Sequence, residues 1–82
     1  MPRIFKILSG KEVVKILETF GYAIRNQTGS HIKMLHIFED NSYIIIVPNH
    51  KPIKLGTLSG IYKEVLQNPS MDINRVDKEF KN

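Results

Sequence analysis

Residues 22–48, YAIRNQTGSHIKMLHIFEDNSYIIIVP, predict three successive β-strands, and these strands decide the fold. Apolar and polar residues alternate along 22–28 and 31–38, whereas 43–48 is almost continuously apolar and β-branched. The short polar stretches TGS and EDNS between them are typical of tight turns, and Pro48 ends the last strand. We therefore expect an antiparallel meander whose first strand is half-buried, with Tyr22 and Ile24 on its buried side.

The segment before these strands predicts a helix from about residue 10. Ser9 followed three residues later by Glu12 is the capping-box arrangement, in which each residue hydrogen-bonds the backbone of the other. Gly21 supplies the C-terminal stop. The helical stripe that this pattern predicts for the core consists of Val13, Ile16, Leu17 and Phe20.

Two more helices are expected after the strands. Residues 58–67 repeat apolar side chains at helical spacing, with Gly56 or Thr57 as the cap, and residues 71–80 form a short final helix. Three strands cannot cover two apolar faces, so the helices should pack together on one face and leave the other open. The predicted fold is α+β, with a three-stranded antiparallel sheet in one domain over residues 1–82. The apolar face of the last helix would comprise Ile73, Val76 and Phe80.

Composition limits the function classes. The chain has 82 residues and no cysteine, which excludes disulfides and thiolate metal sites. We see no signal-peptide core, and the longest apolar stretch, YIIIVP, is far too short to span a membrane, so we expect a cytoplasmic protein without membrane association. The net charge of +4 arises wholly within residues 1–54. This charge favours a polyanionic partner such as nucleic acid, although a merely soluble basic domain explains it about equally well.

The alternation in the second strand defines a candidate site. Ile32, Met34 and Phe38 share one parity and should face the helices, which places His31 and Lys33 on the open face. Gly29 precedes them in a turn whose backbone lets a ligand approach closely. A zinc site built from the three histidines is improbable, because His31 and His36 lie on opposite faces and no cysteine completes the shell.

Four segments together resemble the HicA family of small toxin ribonucleases. They are LSGKEVVKILETFGY at 8–22, GSHIKM at 29–34, VPNH at 47–50 and KLGTLSGIYKEV at 54–65, in the family's order and near its spacing. The resemblance implies a fold like that of double-stranded-RNA-binding domains, α-β-β-β-α with an extra short helix. It also implies metal-independent cleavage of mRNA, no cofactor, and a HicB-type antitoxin that covers the site. The family's essential histidine corresponds to His31.

Chemistry explains a histidine at this place. Cleaving RNA without a metal needs a base for the 2′-hydroxyl proton and an acid for the leaving oxygen, and imidazole can serve near neutral pH. Lys33 can neutralise phosphate charge, and Gly29 and Ser30 can donate hydrogen bonds to it. Many relatives carry a second histidine where this chain has Ile32, so the acid stays unassigned. Further RNA contacts expected from position alone are His50, Lys51 and Lys54.

One other class of function stays open. A non-catalytic module of the same fold would bind structured RNA, or only a protein, through the open sheet face and the first helix. The two hypotheses differ in whether the wild-type protein cleaves RNA and whether His31 is required.

Overall fold

The computed structural model describes residues 4–82, which form three helices and one three-stranded antiparallel sheet. This layout confirms the predicted α+β class and the α-β-β-β-α order with an added C-terminal helix. In chain order the elements are α1 Gly10–Thr19, β1 Ala23–Thr28, β2 His31–Phe38, β3 Asn41–Pro48, α2 Leu55–Leu66 and α3 Ile73–Phe80.

Two-residue turns join the strands and fix their pairing. Gly29 has φ 58° in the turn between β1 and β2, and both Glu39 (φ 50°) and Asp40 (φ 65°) are left-handed in the turn between β2 and β3. Two consecutive left-handed residues are the requirement of the tight hairpin turns that match strand twist. β2 and β3 then pair without interruption from His31 opposite Pro48 to Phe38 opposite Asn41.

The core lies between the sheet and the helices, all on one side. Ile32 and Met34 of β2 and Ile45 and Val47 of β3 are buried at no more than 5% exposure. The inward parity predicted for Ile32 and Met34 is therefore confirmed. From the helices the core receives mainly Val13, Val14, Leu17, Leu58, Ile61, Tyr62, Val65, Val76 and Phe80.

The start of α1 follows the predicted capping box. The Ser9 hydroxyl accepts the Glu12 amide at 3.2 Å, and the Ser9 amide donates to the Glu12 carboxylate at 3.0 Å. These bonds satisfy helix-end amides that would otherwise lack partners. α1 therefore begins at Gly10, as expected.

The start of α2 was predicted wrongly. The helix begins at Leu55, and its N-cap is Lys54, which makes no side-chain capping bond, instead of Gly56 or Thr57. Ile53 is buried just before it, and the Leu58 amide donates to the Lys54 carbonyl at 2.9 Å. The buried anchor and this backbone bond begin the helix earlier than side-chain capping preferences indicate.

Two apolar side chains lie outside the core, contrary to expectation. Ile24 is 51% exposed because β1 is an edge strand whose six residues are all exposed, although Tyr22 just before it is buried. Ile73 is 53% exposed at the first turn of α3, whereas Val76 and Phe80 are fully buried. Apolar residues at the ends of amphipathic elements commonly extend beyond the partner surface.

α3 is attached to the segment before α1. The Lys6 amide donates to the Phe80 carbonyl at 2.9 Å, and Phe5 forms a β-bridge with Lys81. The Tyr62 hydroxyl of α2 donates to Asp77 of α3. Within residues 4–82, no helix combines the length and the apolar character needed to cross a membrane.

Candidate functional site

His31 is the first residue of β2 and lies on the open face of the sheet. It is exposed, and its neighbours across the sheet are Thr28 of β1 and Pro48 of β3. Lys33 follows on the same face, half-buried, between Asn26 and Ile46. The predicted arrangement, an imidazole and an ammonium on the uncovered face of one strand, is therefore present.

The turn before His31 presents its backbone to solvent. Gly29 is exposed, and nothing lies within 4 Å of the place where a side chain would be. The Ser30 carbonyl accepts the Asn49 amide at 2.6 Å, which extends the pairing of β2 and β3 by one residue. A ligand can thus approach the exposed Gly29 backbone, while Ser30 is held beside the end of β3.

The loop after β3 is held against the start of α1. The Gly10 amide donates to the His50 carbonyl at 2.9 Å. A Cβ at Gly10 would stand 2.3 Å from the Pro48 oxygen and 2.8 Å from the Asn49 Cα, so only glycine permits this approach. We call Gly29, Ser30, His31, Asn49 and His50 the histidine corner, because backbone pairing brings these two segments side by side.

The two predicted loop lysines lie in different surroundings. Hydrogen bonds from the Ser9 backbone and hydroxyl lower the pKa of Glu12, and the charges of Lys51 and Lys15 add to this effect. Lys51 follows His50, whose carbonyl accepts the Gly10 amide, so Lys51 lies near the start of α1 and adjoins the histidine corner. Lys54 instead lines a pocket of about 240 Å³ together with Lys6 and apolar residues that include Ile7 and Leu55. None of the residues that line this pocket belongs to the histidine corner.

The open face divides into a polar end and an apolar end. Thr28, His31, Asn26 and Lys33 occupy two neighbouring rows of the register, and no carboxylate occurs in the register-paired positions of this face. Ile46, opposite Lys33, begins an apolar, exposed region that continues with Ile44 and Ile37; the three side chains are 44%, 47% and 64% exposed. A phosphate fits only the polar end, because the isoleucines offer it no hydrogen bonds.

His36 lies on the opposite face from His31, as the strand parity predicted. Its Nδ1 is 2.9 Å from the Asn68 Nδ2, and its ring stacks at a tilt on Tyr22, 5.2 Å between centroids. Asn68 is 1% exposed and also donates to the Tyr22 hydroxyl at 3.3 Å, while its oxygen accepts the Ser70 amide and hydroxyl. These contacts give the half-buried His36 a structural role at the edge of the core.

Sequence reasoning missed Asn49, Asn68 and Gly10. Nothing in the NPS motif distinguishes a buried Asn68 from a turn residue, because Asn is typical of turns. Gly10 carried a usable signal, since glycine is unfavourable inside a helix unless close approach requires it.

Among residues 4–82, no group of three or more His, Cys, Asp or Glu side chains is placed to hold a metal ion.

Comparison with known proteins gives one family. The family model for the HicA toxin of bacterial toxin-antitoxin systems matches residues 10–65, about two thirds of the chain, from the start of α1 almost to the end of α2. The match includes the whole histidine corner and leaves out α3. No curated protein and no solved structure matches the chain at a significant level.

Proposed function

The chain belongs to the HicA toxin family, and on that premise we propose that it is a metal-independent endoribonuclease that cleaves mRNA with His31 as general base. Membership in this family implies a toxin-antitoxin system with a partner antitoxin. The observation that supports the RNA chemistry best is the exposed imidazole of His31 beside Lys33, on a face without register-paired carboxylates.

In the proposed reaction, His31 takes the proton of a ribose 2′-hydroxyl. The 2′-oxygen attacks the adjacent phosphorus, the bond to the 5′-oxygen breaks, and the products are a 2′,3′-cyclic phosphate and a 5′-hydroxyl. General base and acid assistance of this kind accelerates such steps about 10²- to 10⁴-fold. Because His31 is exposed, its ring can reach a bound nucleotide without any opening of the core.

Groups around His31 can stabilise the charge that develops on the phosphate. Lys33 stands two residues along the same face, and the exposed backbone at Gly29 and Ser30 can donate hydrogen bonds. Lys51, near the start of α1, extends this positive region along the RNA backbone. Lys54 would contact RNA only beyond the corner, beside its own pocket.

His50 is the proposed acid for the leaving oxygen. It is exposed, and its backbone lies one residue past the pair formed by Asn49 and Ser30. An imidazole suits this role because it can hold a proton near neutral pH. This assignment compensates for Ile32, which occupies the place of the second histidine of many relatives.

A HicB-type protein is the proposed antitoxin. Covering the histidine corner would exclude RNA from His31, and the isoleucines of the neighbouring apolar end give a protein, unlike a nucleic acid, surface to bury. Inhibition would then need no change in the corner itself.

A direct cleavage assay tests the nuclease proposal. Purified protein in excess EDTA is incubated with end-labelled mRNA, and His31→Ala is the test variant. We expect cleavage by the wild type, 2′,3′-cyclic phosphate ends, and a loss of at least about 10²-fold in rate for His31→Ala. Because His31 is exposed, circular dichroism and the melting temperature should not change.

Two controls sharpen the result. Lys33→Ala should weaken RNA binding and lower its salt dependence, whereas Lys63→Ala, an exposed lysine on α2, should do neither. RNA carrying a single 2′-deoxyribose at the cleaved position should resist cleavage there. If the wild type leaves RNA intact, or if His31→Ala cleaves equally well, the proposal is refuted.

A further inference from the structure

β3 has one edge without a strand partner. It is the last strand of the sheet, and its pairing with β2 leaves alternate residues with their backbone groups directed outward. The Asn49 amide donates to the Ser30 carbonyl, so the backbone N–H and C=O groups of the odd-numbered residues of β3 point towards β2. The backbone groups of Ser42, Ile44 and Ile46 point away from the sheet. Among residues 4–82, no hydrogen-bond partner is found for these outward groups.

The two edges of the sheet differ in their protection against strand addition. β1 carries a register irregularity between Ile24 and Asn26 and places Arg25 there, and bulges and edge charges are both devices that hinder pairing with another strand. β3 is regular, and from Asn41 to Pro48 it contains no charged residue. Only the edge of β3 therefore lacks such protection.

A groove of about 560 Å³ runs along this edge beside α2. Its lining includes Tyr43 and Ile45 of β3, Glu64 of α2 and Gln67 just after that helix. The other lining residues are Tyr22, Ser42 and Ile44. The lining contains one carboxylate and no Lys or Arg. At the C-terminal end of β3, Gly10 of α1 lies against the Pro48 carbonyl.

We propose that this edge of β3 docks an extended segment of a partner protein, which adds to the sheet as a fourth strand. Its backbone would bond the outward groups of Ser42, Ile44 and Ile46, as in other cases of strand addition. On one face of the added strand, apolar side chains would cover Ile44 and Ile46, which are 47% and 44% exposed. On its other face, Lys or Arg side chains would point towards Glu64. The inference stands independently of RNA cleavage.

The lining of the groove selects this occupant over two others. RNA phosphates would meet the Glu64 carboxylate and no cation, so their binding is unfavourable. A second copy of β3 would suit Ile44 and Ile46, but its segment 42–48 has no Lys or Arg for Glu64. A protein strand of alternating apolar and basic residues satisfies the backbone, the isoleucines and the carboxylate together.

The test uses a short acetylated peptide of alternating valine and lysine, with a valine–glutamate peptide as its control. NMR of the full-length protein follows amide shifts and hydrogen exchange at millimolar peptide. We expect the valine–lysine peptide to shift and protect the amides of Ser42, Ile44 and Ile46, and to leave those of β1 unchanged. The valine–glutamate peptide should bind up to about fivefold more weakly.

Two variants distinguish strand addition from non-specific hydrophobic binding. Ile44→Pro removes an outward amide, which an edge strand tolerates, and should weaken the valine–lysine peptide at least about tenfold, whereas Ile44→Thr keeps the amide and should bind nearly as the wild type. If Ile44→Pro does not fold, Glu64→Lys serves instead. That exposed substitution should reverse the preference between the two peptides.

Three results would overturn the proposal. The first is the absence of any change at Ser42, Ile44 and Ile46 with the valine–lysine peptide. The second is protection of these amides from hydrogen exchange in the absence of peptide, if that protection increases with protein concentration. Such a result would show that a second copy of the chain binds the edge. The third is a short RNA that shifts the same amides as strongly as the peptide.

Discussion

Substituting alanine at Gly10 tests the close contact that joins α1 to the histidine corner. An alanine inside a helix is normally stabilising relative to glycine, by about 0.5–1 kcal/mol. At Gly10, however, the new Cβ would lie 2.3 Å from the Pro48 oxygen and 2.8 Å from the Asn49 Cα. Both are backbone atoms, so no side-chain rotation can relieve the overlap.

The size of the effect follows from that geometry. Restoring an ordinary contact of 3.4 Å requires the two backbones to separate by about 1 Å. This movement stretches the Gly10 amide bond to the His50 carbonyl, now 2.9 Å, and removes up to about 1 kcal/mol. Overpacking adds about 1–3 kcal/mol, which exceeds the gain in helix propensity. We expect a net loss of about 1–3 kcal/mol and a fall in melting temperature of roughly 5–20 °C.

Urea unfolding monitored by circular dichroism measures this change, and Gly60→Ala is the matched control. Gly60 lies inside α2 with nothing within 4 Å of its missing Cβ, so the same substitution should stabilise by about 0.5–1 kcal/mol. Gly10→Ala should also slow RNA cleavage at temperatures where it stays folded, because it moves His50. If Gly10→Ala is as stable as Gly60→Ala, the close contact does not hold α1 in place.

Three further substitutions test the core and the capping box. Asn68→Ala should cost about 2–3 kcal/mol in the same unfolding assay, since it leaves buried partners unsatisfied, and a loss below about 0.5 kcal/mol would contradict the network. Met34→Ala, at a fully buried position, should cost about 2–5 kcal/mol, unless the core collapses into the cavity. The pKa of Glu12 is lowered in the folded state, so its stabilisation is present above pH 4.5 and is lost as the pH falls through the folded value. In melting temperatures measured over a pH series, Glu12→Gln should remove this loss of stability at low pH. The control Glu18→Gln should leave it unchanged. If the two variants give the same dependence of melting temperature on pH, the capping box does not stabilise the fold in this way.

The sheet and the face of the candidate site could be predicted because both follow from a period of two. The alternation of Ile32 and Met34 with His31 and Lys33 determines which residues enter the core, and the structure agrees. The capping box of Ser9 and Glu12 was equally local and equally predictable. Such signals need only neighbours within a few residues.

What the sequence did not predict depends on contacts between distant segments. The early start of α2 follows from the burial of Ile53, and the exposure of Ile24 follows from the position of β1 at the sheet edge. Asn68 finds partners on β2 and just before β1, and the contact of Gly10 with Pro48 spans 38 residues of sequence (48 − 10). Periodicity carries no information about pairs of this kind.

The hairpin at Glu39 and Asp40 has a consequence at the opposite end of the sheet. By fixing which residues of β2 and β3 stand opposite each other, it sets the side on which His31 emerges. A slip of β2 by one residue would turn Ile32 and Met34 to water and drive an imidazole and an ammonium into the core. The requirement for an apolar core thus keeps the His31 imidazole in solvent. Any chain that folds in this register therefore exposes the proposed catalytic group without a further constraint.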